Sequence, residues 1–113
     1  MPNAFKSHHV AVGTSNTLIV PTTGTVASGC ETIVLTLRAT NVDGANDATI
    51  DVQVVDTGGS PTAYIAKTMT VPADSSIELA GTSKLVLLHG DKIQALASAA
   101  SDIEIFVSWL EIT

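Results

Sequence analysis

"TIVLTLRATNVDGANDATIDVQVVD", residues 32–56, carries the pattern from which the fold is read. In its first half Ile33, Leu35, Leu37 and Ala39 alternate with Val34, Thr36, Arg38 and Thr40, and in its second Ile50, Val52 and Val54 alternate with Thr49, Asp51 and Gln53. A repeat of two is the spacing of a strand with one face turned to a core. If the two strands form a hairpin about Gly44 and Ala45, Leu37 lies opposite Val52, Leu35 opposite Val54 and Ala39 opposite Ile50, all on one face. The same register sets Arg38 opposite Asp51 on the other face, a favourable cross-strand pair. A slip of one residue breaks both sets together, so the sequence predicts this hairpin and this register.

Four carboxylates gather around the bend: Asp43, Asp47, Asp51 and Asp56. An EF-hand loop with Gly44 as its sixth residue needs an acid at position one and a bidentate Glu at position twelve. Those positions hold Ala39 and Ile50, which excludes it. Asn, Asp and Gly have turn reasons to be there, since the short side chains bond nearby backbone and the residues tolerate positive φ. An adventitious ion on Asp43 and Asp47 is the residual alternative, and no metal site is assigned.

Working outward, helical periodicity is nearly absent, and further strands are predicted at 5–12, 17–20, 63–71, 76–80, 84–89, 92–97 and 102–112. The breaks are turn chemistry: "GTSN", "PTTG", "TGGSP", "PADS", "GTS" and "HGDK". Pro21, Pro61 and Pro72 fall at strand ends, where a missing N–H does least harm. The expected fold is all-β: one antiparallel β-sandwich or jelly-roll-like domain of 8–9 short strands over residues 1–113. Residues 1–9, which show no core pattern before Val10, are a candidate extended N-terminal arm. Alanine-rich "IQALASAAS" (93–101) offers a helix as the rival reading.

The net charge of -6, with Lys and Arg totalling five, leaves no basic stripe for nucleic acid or an anionic membrane. Charged residues make up 14% of the chain, against roughly 25% in an ordinary soluble domain. So bare a surface argues that part of it faces another subunit. The start "MPNAFKSHHV" has no apolar stretch of a secretory signal, and nowhere do 18 apolar residues run together, so the chain is expected to be made in a cytoplasm and to stay soluble. Cys30 is the single cysteine and has no basic neighbour in sequence, which reads as packing rather than reactivity.

Catalytic chemistry finds no foothold. "HGD" (89–91) places His89 near Asp91, but Gly90-Asp91 reads as a two-residue hairpin connection with Leu88 opposite Ile93 and His89 opposite Lys92. His8 and His9 point to opposite faces of a strand and have no third ligand. Asp102 and Glu104 share a strand face and read as a solvated edge. No nucleophile elbow or phosphate loop is present, and the aromatics, Phe5, Tyr64, Phe106 and Trp109, are too few for a stacking platform. Catalytic, cofactor-binding and metal residues are all assigned as none, no cofactor is expected, and the chain is expected not to be an enzyme.

Two strands are apolar on both faces. "KLVLLHG" sets Val86 and Leu88 against Leu85 and Leu87, and "EIFVSWLEI" sets Ile105, Val107 and Trp109 against Phe106, Leu110 and Ile112. A two-layer sandwich buries one face of each sheet, so the other must be roofed by the chain itself or by a neighbour.

The succession "TLIVPTTGT", "LTLRATNVDGANDATIDVQVVD", "VPADSSIEL", "KLVLLHGDKIQALAS" and "IFVSWLEI" resembles small virion structural proteins of tailed bacteriophages over residues 14–113. The resemblance implies a β-sandwich subunit of a symmetric particle, either a head decoration (cement) protein or a tail or neck component, without catalytic residues. On that footing the expected function is a homo-oligomer, a trimer favoured, on the capsid of a virion, with the major capsid protein as a further partner. The alternative is a tail- or neck-associated module binding a host-surface receptor or glycan through the loops at 22–30, 56–62 and 72–76.

Overall fold

The structure is a computed structural model that describes residues 3–22, 24–56, 62–80 and 84–113. Nine strands and no helix occur among them: β1 (Ala4–Val12), β2 (Thr17–Val20), β3 (Glu31–Asn41), β4 (Ala48–Val55), β5 (Thr62–Val71), β6 (Ser76–Glu78), β7 (Leu85–Leu87), β8 (Lys92–Ala97) and β9 (Ile103–Ile112). The rival helix at 93–101 is a strand through Ala97 followed by a turn, so tertiary burial of Ile93, Ala95 and Ala97 overrides the helical preference of alanine. Residues 4–9 of the candidate arm belong to β1, paired residue by residue on β9.

Two antiparallel sheets face each other. Sheet A has the order β1-β9-β3-β6 with β7 also on β3, and sheet B the order β2-β8-β4-β5. Pairing is nested: β1 with β9, β2 with β8, β3 with β6 and β7, β4 with β5. This is the winding of a jelly roll, in which one long double ribbon folds over itself and most connections cross from sheet to sheet. β6 and β7 act as two halves of one interrupted strand. β7 meets Thr32–Val34, β6 meets Arg38–Thr40, and between them Glu78 turns its carboxylate onto the amide of Leu37 (2.9 Å) while Leu79 donates to the Leu37 carbonyl (2.7 Å).

The core lies between the sheets. Val34, Leu37, Ala39, Ile103, Ile105, Val107 and Trp109 from sheet A meet Ile19, Ile50, Val52, Val71, Ile93 and Ala95 from sheet B. Fully burying one such aliphatic side chain is worth about 1.5–3 kcal/mol, so this apolar contact between layers holds the sandwich closed.

The winding overturns both predicted hairpins. β3 and β4 lie in opposite sheets, so Leu37 and Val52 enter the core from opposite layers instead of standing side by side. Gly44 does not adopt the left-handed φ that a two-residue hairpin turn requires. The connection is instead built on Asn41, which is fully buried. Its Nδ2 donates to the carbonyls of Val71 (2.9 Å) and Asn46 (3.0 Å), and its Oδ1 accepts from the Asp43 amide (2.9 Å). With the hairpin goes the Arg38–Asp51 pair: Arg38 lies 3.8 Å from Glu78, and Asp51 lies 3.6 Å from Lys67.

Likewise β7 pairs with β3, while β8 pairs with β2 and β4, so Leu88 does not oppose Ile93 nor His89 Lys92. The turn chemistry there is as expected even so. Gly90 sits at φ 91°, and the Asp91 carboxylate accepts the Leu88 amide at 2.9 Å. A third correction lies inside β3. A register shift between Val34 and Thr36 moves the inward set to Thr32, Val34, Leu37, Ala39 and Asn41, leaving Ile33 on the outer face. One extra residue in a strand reverses the side-chain alternation beyond it.

Candidate assembly surface

Residues directly opposite in an antiparallel ladder share a face. Leu110 of β9 is opposite Phe5 of β1 on one side and Ile33 of β3 on the other, and Ile33 is opposite Val86 of β7. Phe5, Leu110, Ile33 and Val86 therefore form one apolar row across four strands on the outer surface of sheet A, roughly 15 Å wide at the usual strand spacing. Phe5 is 78% exposed and Val86 57%. Phe106, 46% exposed, stands four residues from Leu110 on the same face of β9, beyond the polar row Ser7–Ser108–Thr36, with His9 and Arg38 beside it.

The outer surface of sheet B is more mixed. Thr49, Asp51, Gln53, Gln94 and Lys92 stand there, with Leu96 opposite Asp51, Leu18 opposite Gln94, Val55 opposite Lys92 and Tyr64 opposite Gln53, and Lys67 lies 4.7 Å over the Tyr64 ring while reaching Asp51. The doubly apolar strands seen in sequence both belong to sheet A, and no segment among the described residues covers their outer side. The row itself was not legible in sequence, because it exists only once β1 and β3 flank β9 and β7 lies on β3.

The two ends of the sandwich differ as well. At one end the connections at 42–47, 72–75 and 98–102 meet. Val42 donates to the Asp102 carbonyl (2.8 Å), Asn41 to that of Ser75 (2.8 Å) and Asp74 to that of Asp43 (3.2 Å). The carboxylates of Asp43 and Asp47 are occupied by protein donors. Asp43 Oδ1 accepts the amide of Ala45 (2.8 Å) and Asp47 Oδ1 that of Ala73 (3.0 Å). The Ala45 amide first, and then the Asn46 side chain, hold the Asp43 carboxyl below its ordinary range. Asp51 likewise accepts the Thr68 amide at 2.6 Å. Asp56 lies apart, exposed beyond the end of β4. No group of three or more His, Cys, Asp or Glu residues converges on a metal position among the described residues.

At the opposite end a cleft of about 430 Å³ opens between the inner surface of sheet A and the β2–β3 connection, lined in part by Lys6, Thr22, Thr25, Thr32, Trp109 and Glu111. Lys6 and Glu111 form an ion pair at 3.0 Å. Trp109 is 2% exposed, and its indole N–H has no acceptor among the described residues. Of its walls only the loop, part of the 22–30 stretch offered for glycan binding, was marked in sequence; the others come from β1, β3 and β9, which are distant along the chain.

The remaining candidates stay separate. His8 and His9 lie on opposite faces of sheet A, opposite Val107 and Phe106. His89 and Asp91 sit in the β7–β8 turn, Asp102 precedes β9 and Glu104 stands on its outer face beside Ala11 and Thr40. Cys30 is a free, half-buried thiol against the core. Of the loops offered for glycan binding, 72–76 and most of 22–30 are described, while most of 56–62 lies outside the described residues.

No protein-family model matches the chain, and no curated protein matches it. Among solved structures it is similar to a protein of Bacillus endospore appendages, a family of disulfide-linked pili, at 17% identity and a TM-score of 0.54, over 99% of this chain and 87% of that one. That likeness is one of fold. A pentameric capsid protein isolated from metagenomic phage sequences is similar at 22% identity and a TM-score of 0.42, over 93% of this chain and 59% of that one.

Proposed function

We propose that this chain is a non-enzymatic structural protein of a phage virion, which assembles as a homo-oligomer on the capsid as a decoration or cement subunit. The observation that carries the reading is the Phe5–Leu110–Ile33–Val86 row, an apolar strip across four strands of sheet A whose ends, Phe5 and Val86, are open to water. Water is the wrong neighbour for such a strip, and burying it against a subunit gains about 25 cal/mol per Å² of apolar area. On a symmetric particle, many modest contacts add through avidity. The low charge of the chain agrees with surface given over to neighbours. A jelly roll serves capsid and lectin domains alike, so the winding itself does not choose between them. A pilus protein with a similar fold is an assembling protein too.

The partners are other copies of the chain, with a trimer the ring first expected, and the major capsid protein; no nucleic acid, membrane or cofactor takes part. Residues 1–113 act as one unit. The second reading, a tail- or neck-associated module for a host-surface receptor or glycan, draws on the threonine-lined cleft beside Trp109. Sedimentation of the purified chain, with immunogold electron microscopy of the virions whose genome encodes it, separates the two. An oligomer and label spread over the head support decoration. A monomer at all concentrations with label confined to the tail would replace it by the second reading.

A further inference from the structure

A β-sandwich of this kind exposes four sheet edges, and three of them are blunted. β2 has four residues, a register shift between Leu18 and Val20, and Pro21 directly after it. The far edge of sheet A is split between β6 and β7, three residues each. β5 is long, yet its register against β4 shifts twice and Thr68 turns to a φ of 50°. Bulges, short strands and neighbouring prolines are the devices by which proteins keep sheet edges from pairing.

β1 carries none of them. Its nine residues pair with β9 in unbroken register, without proline or glycine. Its one cation, Lys6, is drawn to Glu111. Among the described residues, no hydrogen bond outside the β9 ladder reaches the backbone of residues 4–11. The amides and carbonyls on its open side therefore want a strand. Phe5, the most exposed of the large apolar side chains, stands on this same edge.

We infer that two copies of the chain join through β1, antiparallel about a two-fold axis, so that their five-stranded sheets become continuous. The strand that pairs with β1 is another β1 because no other edge among the described residues is long and regular enough to serve, and a lone competent edge can only meet itself. Centring the axis on His8 pairs all nine residues. It sets Phe5 opposite Ala11 of the second copy, a large side chain against a small one, and Ser7 opposite His9. Lys6 then faces Val10 and keeps clear of the other Lys6, avoiding a like-charge pair. The inference rests on the self-assembly proposed above and adds its geometry. The smallest closed unit is a dimer, and a trimer would use this contact to join one ring to the next.

The test is a cysteine scan in a Cys30→Ala background, with Ser7→Cys, His8→Cys and His9→Cys oxidised under mild conditions, and Thr70→Cys on β5 as the control. The expected result is a covalent dimer at one of the three β1 positions, His8 in the full-overlap register, and none at Thr70. No dimer at any β1 position, or equal yields at β1 and Thr70, overturns the pairing. Sedimentation of the wild-type chain separates the two failures. An oligomer that no β1 cysteine traps removes only the edge contact, whereas a monomer throughout removes the self-assembly beneath it as well.

Discussion

Replacing Asn41 by alanine should destabilise the protein far more than a polar-to-alanine change at the end of a strand normally does. The amide is fully buried and makes three hydrogen bonds of 2.9–3.0 Å, binding the end of β3 in sheet A to the last carbonyl of β5 in sheet B and to both sides of the 42–47 connection. Each such bond contributes about 1 kcal/mol net, and a buried partner left stranded costs about 1–3 kcal/mol. The carbonyl of buried Val71 has no route to water, while those near Asp43 and Asn46 regain some, so the sum is about 3 kcal/mol. With an unfolding entropy of about 2.1 cal/mol/K per residue, that lowers the Tm by roughly 12 °C. Urea denaturation followed by the fluorescence of Trp109 is the assay, because that residue lies at the opposite end of the sandwich and reports global unfolding. Asn41→Asp keeps the shape but presents a carboxylate to two carbonyls, and it should lose at least as much at neutral pH. A loss below about 1 kcal/mol for Asn41→Ala, or an Asn41→Asp protein as stable as wild type, would refute the claim that this side chain holds the crossing between sheets.

Other outcomes follow from the same geometry. The double change Phe5→Ser and Val86→Ser should leave the urea midpoint nearly unmoved, since both side chains are mostly exposed, yet weaken self-association by about thirtyfold, the equivalent of about 2 kcal/mol of lost burial, by sedimentation. Glu78→Ala should cost about 1–3 kcal/mol, because its carboxylate accepts the amides of Leu37 (2.9 Å) and Ala80 (3.2 Å). Arg38→Ala, which removes only an exposed 3.8 Å ion pair, should cost less than about 1 kcal/mol in the same titration. Asp43, whose carboxyl is held below its ordinary range when folded, contributes stability that is present above the unfolded value and is lost as pH falls through the lower folded one. The gap in urea midpoint between wild type and Asp43→Ala should therefore be widest near neutrality and narrow on acidification below about pH 4, the unfolded carboxylate range; a gap constant with pH would count against it.

What was legible in the sequence is whatever depends on neighbours along the chain. Alternation placed strands in all nine expected stretches, and Asn, Asp and Gly marked the bends, with Asp43 and Asp91 taking backbone amides as their turn roles require. The apolar second faces of β7 and β9 were also visible, because they follow from alternation alone.

Which strand lies beside which was decided by the tertiary structure. An inward-facing residue on β3 satisfies its pattern equally well beside a hairpin partner or across the core from a strand in the other sheet, so Leu37 and Val52 fit both arrangements. The jelly-roll winding chose the second, pairing β1 with β9 and β3 with three strands distant in sequence. The shift past Val34 that turns Ile33 outward, the apolar row it completes, and the cleft beside Trp109 all arise from those long-range pairings. Side-chain alternation encodes an inside and an outside, a property of each strand alone, while a neighbour is a property of two strands and is settled by the packing of the whole.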